Sequence, residues 1–100
     1  MVAELRLETG NDVGVWRVIG ELDTHTAPHL AARLGEIDTG TDVVLDLSQM
    51  PFVSSAGLSV MLNAQRSFAD GGGSLRVAHP TTAVARLIQI SGVGPTLGLS

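Results

Sequence analysis

The stretch from Val43 to Leu62 constrains this chain's fold more than any other. Val43, Val44, Leu45 and Leu47 form a short aliphatic run that reads as a strand. Ser48 and Pro51 mark a loop. A helix then opens at Ser54 or Ser55. Both are residues of a type that caps helix N-termini by accepting a bond from a free backbone N–H. A helix that follows a strand starts at the C-terminal edge of a sheet, so these hydroxyls sit beside a partial positive charge. That position suits an anionic ligand or a covalently added phosphate. On the residues alone, a plain helix cap is the simpler reading.

The flanking segments supply the rest of an α/β pattern. Leu5, Leu7 and Thr9 alternate with Glu4, Arg6 and Glu8, the period of a half-buried edge strand. A turn at Gly10-Asn11-Asp12 leads to a second strand, Val13 to Ile19, and the two form a hairpin. Thr24, His25 and Thr26 lead into Ala27-Pro28, where a first-turn proline costs nothing because its N–H would have no partner. Leu30, Leu34 and Ile37 then share one helical face. After the third strand, Leu58, Met61, Leu62, Phe68 and Ala69 form the stripe of a second helix that stops at Asp70-Gly71-Gly72-Gly73. Leu75 to Ala78 is a fourth strand, and His79-Pro80 breaks it. Thr81 or Thr82 opens a third helix with Val84, Leu87 and Ile88 inward, and Gly92 closes it. Thr96 to Leu99 reads as a last edge strand. The order is β-β-α-β-α-β-α-(β): a mixed sheet of four to five strands with about three helices, joined by right-handed crossovers. One hundred residues without a linker or repeat make a single domain, 1–100.

Composition narrows the class. Only Trp16, Phe52 and Phe68 are aromatic, so the core is built from Val, Leu, Ile and Ala. Mean hydropathy is +0.30, which suits strands covered on both faces by helices. Without cysteine there is no disulfide framework, thiolate metal site or cysteine nucleophile. Met1 to Gly10 has no long apolar core, so it is no signal peptide, and no apolar run approaches the roughly 18 residues that span a bilayer. A cytoplasmic protein without membrane insertion is expected. The net charge is −4 and all six basic residues are scattered arginines, which argues against nucleic acid.

Enzyme chemistry is not expected. His25 and His29 have the spacing of a helical metal pair, but His25 precedes the helix and only the remote His79 remains as a third ligand. Ser55 lacks a Gly-x-Ser-x-Gly elbow, and Gly71-Gly72-Gly73 follows a helix and lacks the lysine of a phosphate loop. No cofactor or metal is implied. Asp46 reads as a strand end bonded to the following loop. Met50, Pro51 and Phe52 are candidates for an apolar patch, although a phenylalanine here is more often core.

Two motifs resemble the STAS domain of bacterial anti-anti-sigma factors, also called anti-sigma factor antagonists. One is Gly20-Glu21-Leu22-Asp23 followed by Thr26-Ala27-Pro28. The other, more specific, is Leu45-Asp46-Leu47-Ser48, then Phe52, then Ser54-Ser55-Ala56-Gly57-Leu58. Leu87 to Gly92 is a weaker third match. The resemblance implies the STAS fold and a regulator that docks on an anti-sigma factor, a serine kinase with a histidine-kinase-like ATPase fold, and releases the sigma factor. Registering on Gly57 and Leu58 makes Ser55 the phosphoacceptor, whose modification switches docking off and which a phosphatase resets. Ser54 stands where the family carries aspartate. The implied contact residues are Asp23, Thr24, His25, Met50, Ser54, Ser55, Ala56 and Gly57; for the first three an ordinary polar loop is an equal alternative. The competing reading is a constitutive STAS subunit of a transporter or stress-sensing complex, without a phosphate switch. A small serine hydrolase is a third and weaker class.

Overall fold

A computed structural model describes residues 5–10 and 12–99. The elements are β1 (Arg6–Thr9), β2 (Val15–Ile19), α1 (Ala27–Leu34), β3 (Asp42–Asp46), α2 (Ser55–Asp70), β4 (Ser74–Ala78) and α3 (Thr82–Ser91). The strands lie in the order β1-β2-β3-β4. The β1–β2 hairpin is antiparallel, with Leu7 opposite Val18. Strand β3 runs parallel to both neighbours, pairing Leu45 with Trp16 and with Val77. Parallel neighbours need a crossover, and α1 and α2 supply the two. Glu4 and Asn11, assigned to the first strand and its turn, lie outside the described residues.

Side chains alternate across the strands, and the alternation sorts them by chemistry. Leu7, Val18, Val43, Leu45, Leu75 and Val77 point to the core and are buried. Arg6, Glu8, Asp42 and Arg76 are exposed on the opposite face, with Arg17, Val44 and Asp46 half-buried there. Helices α1 and α2 pack on each other, with α1 against β1 and α2 against β4. Val84 and Ile88 of α3 join the same core. The sheet is therefore packed on one face, not on both as the hydropathy suggests. The apolar excess resides in the helices and the inner strand positions. The run at β3 reads as continuously apolar only because Val44 happens to occupy an outer position.

Further expectations change. Helix α1 ends at Leu34, so Ile37, expected on its inner face, lies beyond it and packs against the core from the following turn. Strand β2 begins at Val15, because Gly14 adopts a positive φ of 83° and leaves Val13 fully exposed in the hairpin turn. The last edge strand is absent. Pro95, and Gly98 at a φ of 83°, fold residues 94–98 into turns, with the Leu97 N–H donating to Val93 and Gly94 carbonyls. Leu97 still reaches the sheet edge: its side chain is fully buried, and its carbonyl accepts the Val77 N–H at 2.8 Å. A turn covers the outer edge of β4 where a strand was expected, which blunts that edge against pairing with other chains. Helix α3 ends as expected, on a left-handed Gly92 at a φ of 73°.

One-faced packing has a direct test. Leu45→Ala, at a fully buried position of β3, should cost about 2–5 kcal/mol in urea unfolding. Val44→Thr, the neighbouring position on the open face, should cost no more than about 1 kcal/mol. Losses of similar size at both positions would contradict the assignment.

Candidate functional site

Beyond the ends of β2 and β3, the two chains stay stitched together. The Gly20 N–H donates to the Gln49 carbonyl at 3.1 Å, and the Leu22 N–H donates to the Phe52 carbonyl at 2.9 Å. The Ser54 N–H then returns a bond to the Leu22 carbonyl at 2.8 Å, and Leu22 and Val53 form an isolated parallel bridge. These bonds fix the loop between β3 and α2, which without them would be free to move. From the opposite side, the Thr81 hydroxyl donates to the Met50 carbonyl at 2.8 Å. Thr81 is the N-cap residue of α3 but makes no side-chain cap bond; its hydroxyl serves the loop instead.

Helix α2 opens from this frame. Ser54 is its N-cap in extended conformation, and its hydroxyl accepts the Gly57 N–H over a long 3.3 Å. Ser55 is the first helical residue and is exposed, and its hydroxyl enters none of the hydrogen bonds among the described residues. The two serines thus divide the possible roles: one caps, the other faces water. Gly57 is buried against Leu22. A Cβ there would stand 2.8 Å from Leu22 Cδ2, closer than real contacts allow, and a tight 3.0 Å from the Leu22 carbonyl oxygen. The absence of a side chain at Gly57 lets the helix begin this close to the stitched loop.

A second loop is built from Asp23 and Thr26. Asp23 Oδ1 accepts the backbone N–H of His25 and of Thr26, both at 2.9 Å. The Thr26 hydroxyl accepts the Asp23 N–H at 3.0 Å and donates to the Glu21 carbonyl at 2.8 Å. The pair is a reciprocal cap of the capping-box kind at the entrance to α1. It holds Thr24 and His25 outward, both exposed. The Thr26 backbone N–H is the main cause that places the Asp23 carboxyl below its ordinary range; partial burial opposes it, and the Thr26 hydroxyl and His25 reinforce it. Asp46 is also lowered: burial pushes it up, but the Ser48 backbone N–H at 2.9 Å, the Ser48 hydroxyl and the charges of His79 and Arg17 outweigh that push.

The expected site residues fall into three groups. Ser54, Ser55, Ala56 and Gly57 form the first turn of α2 and its cap, and Gly57 contributes only close packing. Asp23, Thr24 and His25 form the neighbouring loop, with Asp23 serving as its internal brace. Met50 does not belong on the surface: its side chain is fully buried in the core. The reverse holds for Phe52, expected inside and found 49% exposed. The inward places of the loop are filled by Leu47, Met50 and Val53. Leu22 and Thr81, not singled out as site residues, brace the loop through the bonds described above. Their signal in sequence was slight, since a backbone partner and a hydroxyl bonded 31 residues away leave no local pattern. His25 lies in the turn before α1, so the helical spacing to His29 is not realised. Among the described residues, no group of three or more His, Cys, Asp or Glu side chains is placed to hold a metal ion. None of the helices among them is long and apolar enough to cross a membrane.

Comparison with known proteins agrees with this architecture. The STAS domain family matches residues 4–99, and the chain belongs to that family. It is 29% identical over 91 residues to the anti-sigma-B factor antagonist of Bacillus subtilis strain 168, covering 90% of this chain and 83% of the relative. Its structure resembles an anti-sigma factor antagonist from Mycobacterium paratuberculosis, with a TM-score of 0.79 and 28% identity over 98% of this chain and 85% of the other. It also shares its fold with the Bacillus cell fate determinant SpoIIAA in the phosphorylated form, at a TM-score of 0.60 and 22% identity, covering 91% of this chain and 86% of that one.

The Asp23 brace makes stability depend on pH with a definite sign. A carboxyl whose folded pKa lies below its unfolded value, about 3.9, stabilises the fold above that value and loses its contribution as pH falls through the folded pKa. Asp23→Asn should therefore melt below the wild type at pH 7, with the gap closing as pH falls below about 4. A gap that stays constant from neutral to acid pH would mean that the ionised carboxylate is not the brace.

Proposed function

We propose that this chain is an anti-sigma factor antagonist. Its unphosphorylated form docks the α2 edge on an anti-sigma factor and releases the sigma factor, and phosphate on Ser55 ends the docking. The observation that carries this reading is the state of Ser55: exposed, without a hydrogen-bond partner for its hydroxyl among the described residues, and first in a helix whose start is pinned to Leu22. The kinship with anti-sigma factor antagonists supplies the partner class. The partner is then a serine kinase of histidine-kinase-like ATPase fold, a phosphatase resets the switch, and the protein works in the cytoplasm without cofactor, metal or catalysis of its own.

The switch follows from unequal energies. In phosphoryl transfer, Ser55 Oγ attacks the γ-phosphorus of ATP, its proton passes to a base on the kinase, and ADP leaves. The phosphoserine carries roughly −1.5 to −2 charges. Within this domain the N-terminus of α2 accommodates it, by about 1 kcal/mol, and no acidic residue in the first turn opposes it. At a desolvated interface the same charge without a partner costs about 2–5 kcal/mol. The intermolecular cost exceeds the local gain, and each 1.4 kcal/mol is about tenfold in affinity. Ser54 carries no negative charge beside the acceptor and provides the cap, so the base must come from the kinase.

The same substitution favours the second reading, a constitutive STAS subunit of a transporter or stress-sensing assembly. Mass spectrometry after incubation with ATP and the anti-sigma kinases of the source genome separates the two. One phosphate is expected on Ser55, lost in Ser55→Ala and kept in Ser54→Ala. Stable binding to one partner with no phosphate from any kinase would transfer the conclusion to the constitutive subunit.

A further inference from the structure

Phe52 is half-exposed, and the exposure is enforced. Its carbonyl accepts the Leu22 N–H, Val53 bridges Leu22, and Thr81 holds the Met50 carbonyl, so the loop's register cannot rotate. Met50 and Val53 occupy the inward positions at 0% and 3% exposure. Leu47 fills a third such position, and a close-packed core leaves no further place for a phenyl ring.

The other large hydrophobics exposed among the described residues are Val13, in the hairpin turn, and Ile90, on α3. Neither belongs to the loop between β3 and α2. Pro51 beside the ring is exposed as well, and polar exposed residues flank it at Ser48 and Gln49 of the loop and Ser55 of α2. An aromatic ring on a rigid segment with polar neighbours has the composition of an interface centre and its rim. Because the backbone is already ordered, docking through it loses little conformational entropy.

We infer that Phe52 is the apolar anchor of the docking surface and fills a ring-sized apolar pocket on the anti-sigma factor. This rests on the proposed function above. It also gives the switch its leverage. Ser55 lies three residues from Phe52, both are exposed, and the segment between them is pinned to Leu22, so a partner seated on the ring comes close to a Ser55 phosphate and its water.

The test is calorimetric titration of Phe52→Ala, Phe52→Gln, Phe52→Leu and Ser55→Glu proteins against the anti-sigma factor that binds the wild type. Phe52→Ala and Phe52→Gln should each weaken binding about tenfold or more, and Phe52→Leu less. Gln retains much of the side-chain volume without the apolar ring. Melting temperatures should stay near wild type, because the ring is outside the core. Wild-type affinity in both Phe52→Ala and Phe52→Gln, with binding lost in Ser55→Glu, would overturn the anchor and leave the Ser55 switch standing. Weakened Phe52 variants with unchanged Ser55→Glu would do the reverse.

Discussion

The contact between Leu22 and the start of α2 is the constraint on which the proposed docking surface depends. Leu22 exchanges backbone bonds with Phe52 and Ser54, and its side chain lies where a Cβ on residue 57 would stand. The sheet proper ends at Ile19 and Asp46, yet ordered pairing continues through this residue to the helix cap. A loop that should be among the least stable parts of the chain is thereby tied to the core. The N-terminus of α2, Phe52 and the serines are presented as a rigid set, while Thr24 and His25 are presented by a separate brace built from Asp23 and Thr26.

Rigidity matters because the proposed switch is small. One phosphate changes local charge but leaves the fold able to hold it, since helix dipole and solvent both favour the anion in the free protein. The change is felt only when a partner excludes water from the same spot. A flexible loop could move the phosphate aside and escape that cost. A loop pinned by Leu22 on one side and Thr81 on the other has less freedom to do so. The division of work between the serines belongs to the same logic: Ser54 is committed to Gly57, and Ser55 is left without an intramolecular partner among the described residues.

Much of the fold was legible in the chain. Hairpin, crossover order and the Gly92 stop rest on local patterns and appear where they were expected within a few residues, whereas α1 stops at Leu34, short of Ile37, and Ala69 of the α2 stripe is exposed. The misreadings share a cause. Met50 and Phe52 are both apolar and two positions apart, and nothing local tells which one the loop turns inward; that is decided by backbone bonds to Leu22 and Thr81. Mean hydropathy counts apolar residues without placing them, so it could not reveal that Arg17, Asp46 and Arg76 line an open sheet face. Thr96 to Leu99 has a residue run compatible with a strand, but Pro95 and Gly98 prevail over it. The serine pair was legible as a helix start, and the structure assigned the cap to one of them.

The proposed switch requires that a charge on Ser55 be tolerated by the domain and rejected by its partner. The most direct measurement compares unphosphorylated protein and protein phosphorylated on Ser55, both for thermal stability and for affinity to the anti-sigma factor. The phosphorylated protein should show a melting temperature that is unchanged or slightly raised, together with an affinity at least about tenfold weaker. Equal affinity of the two forms would contradict the switch. So would a loss of binding accompanied by unfolding, because the effect would then arise within the domain and not at the interface.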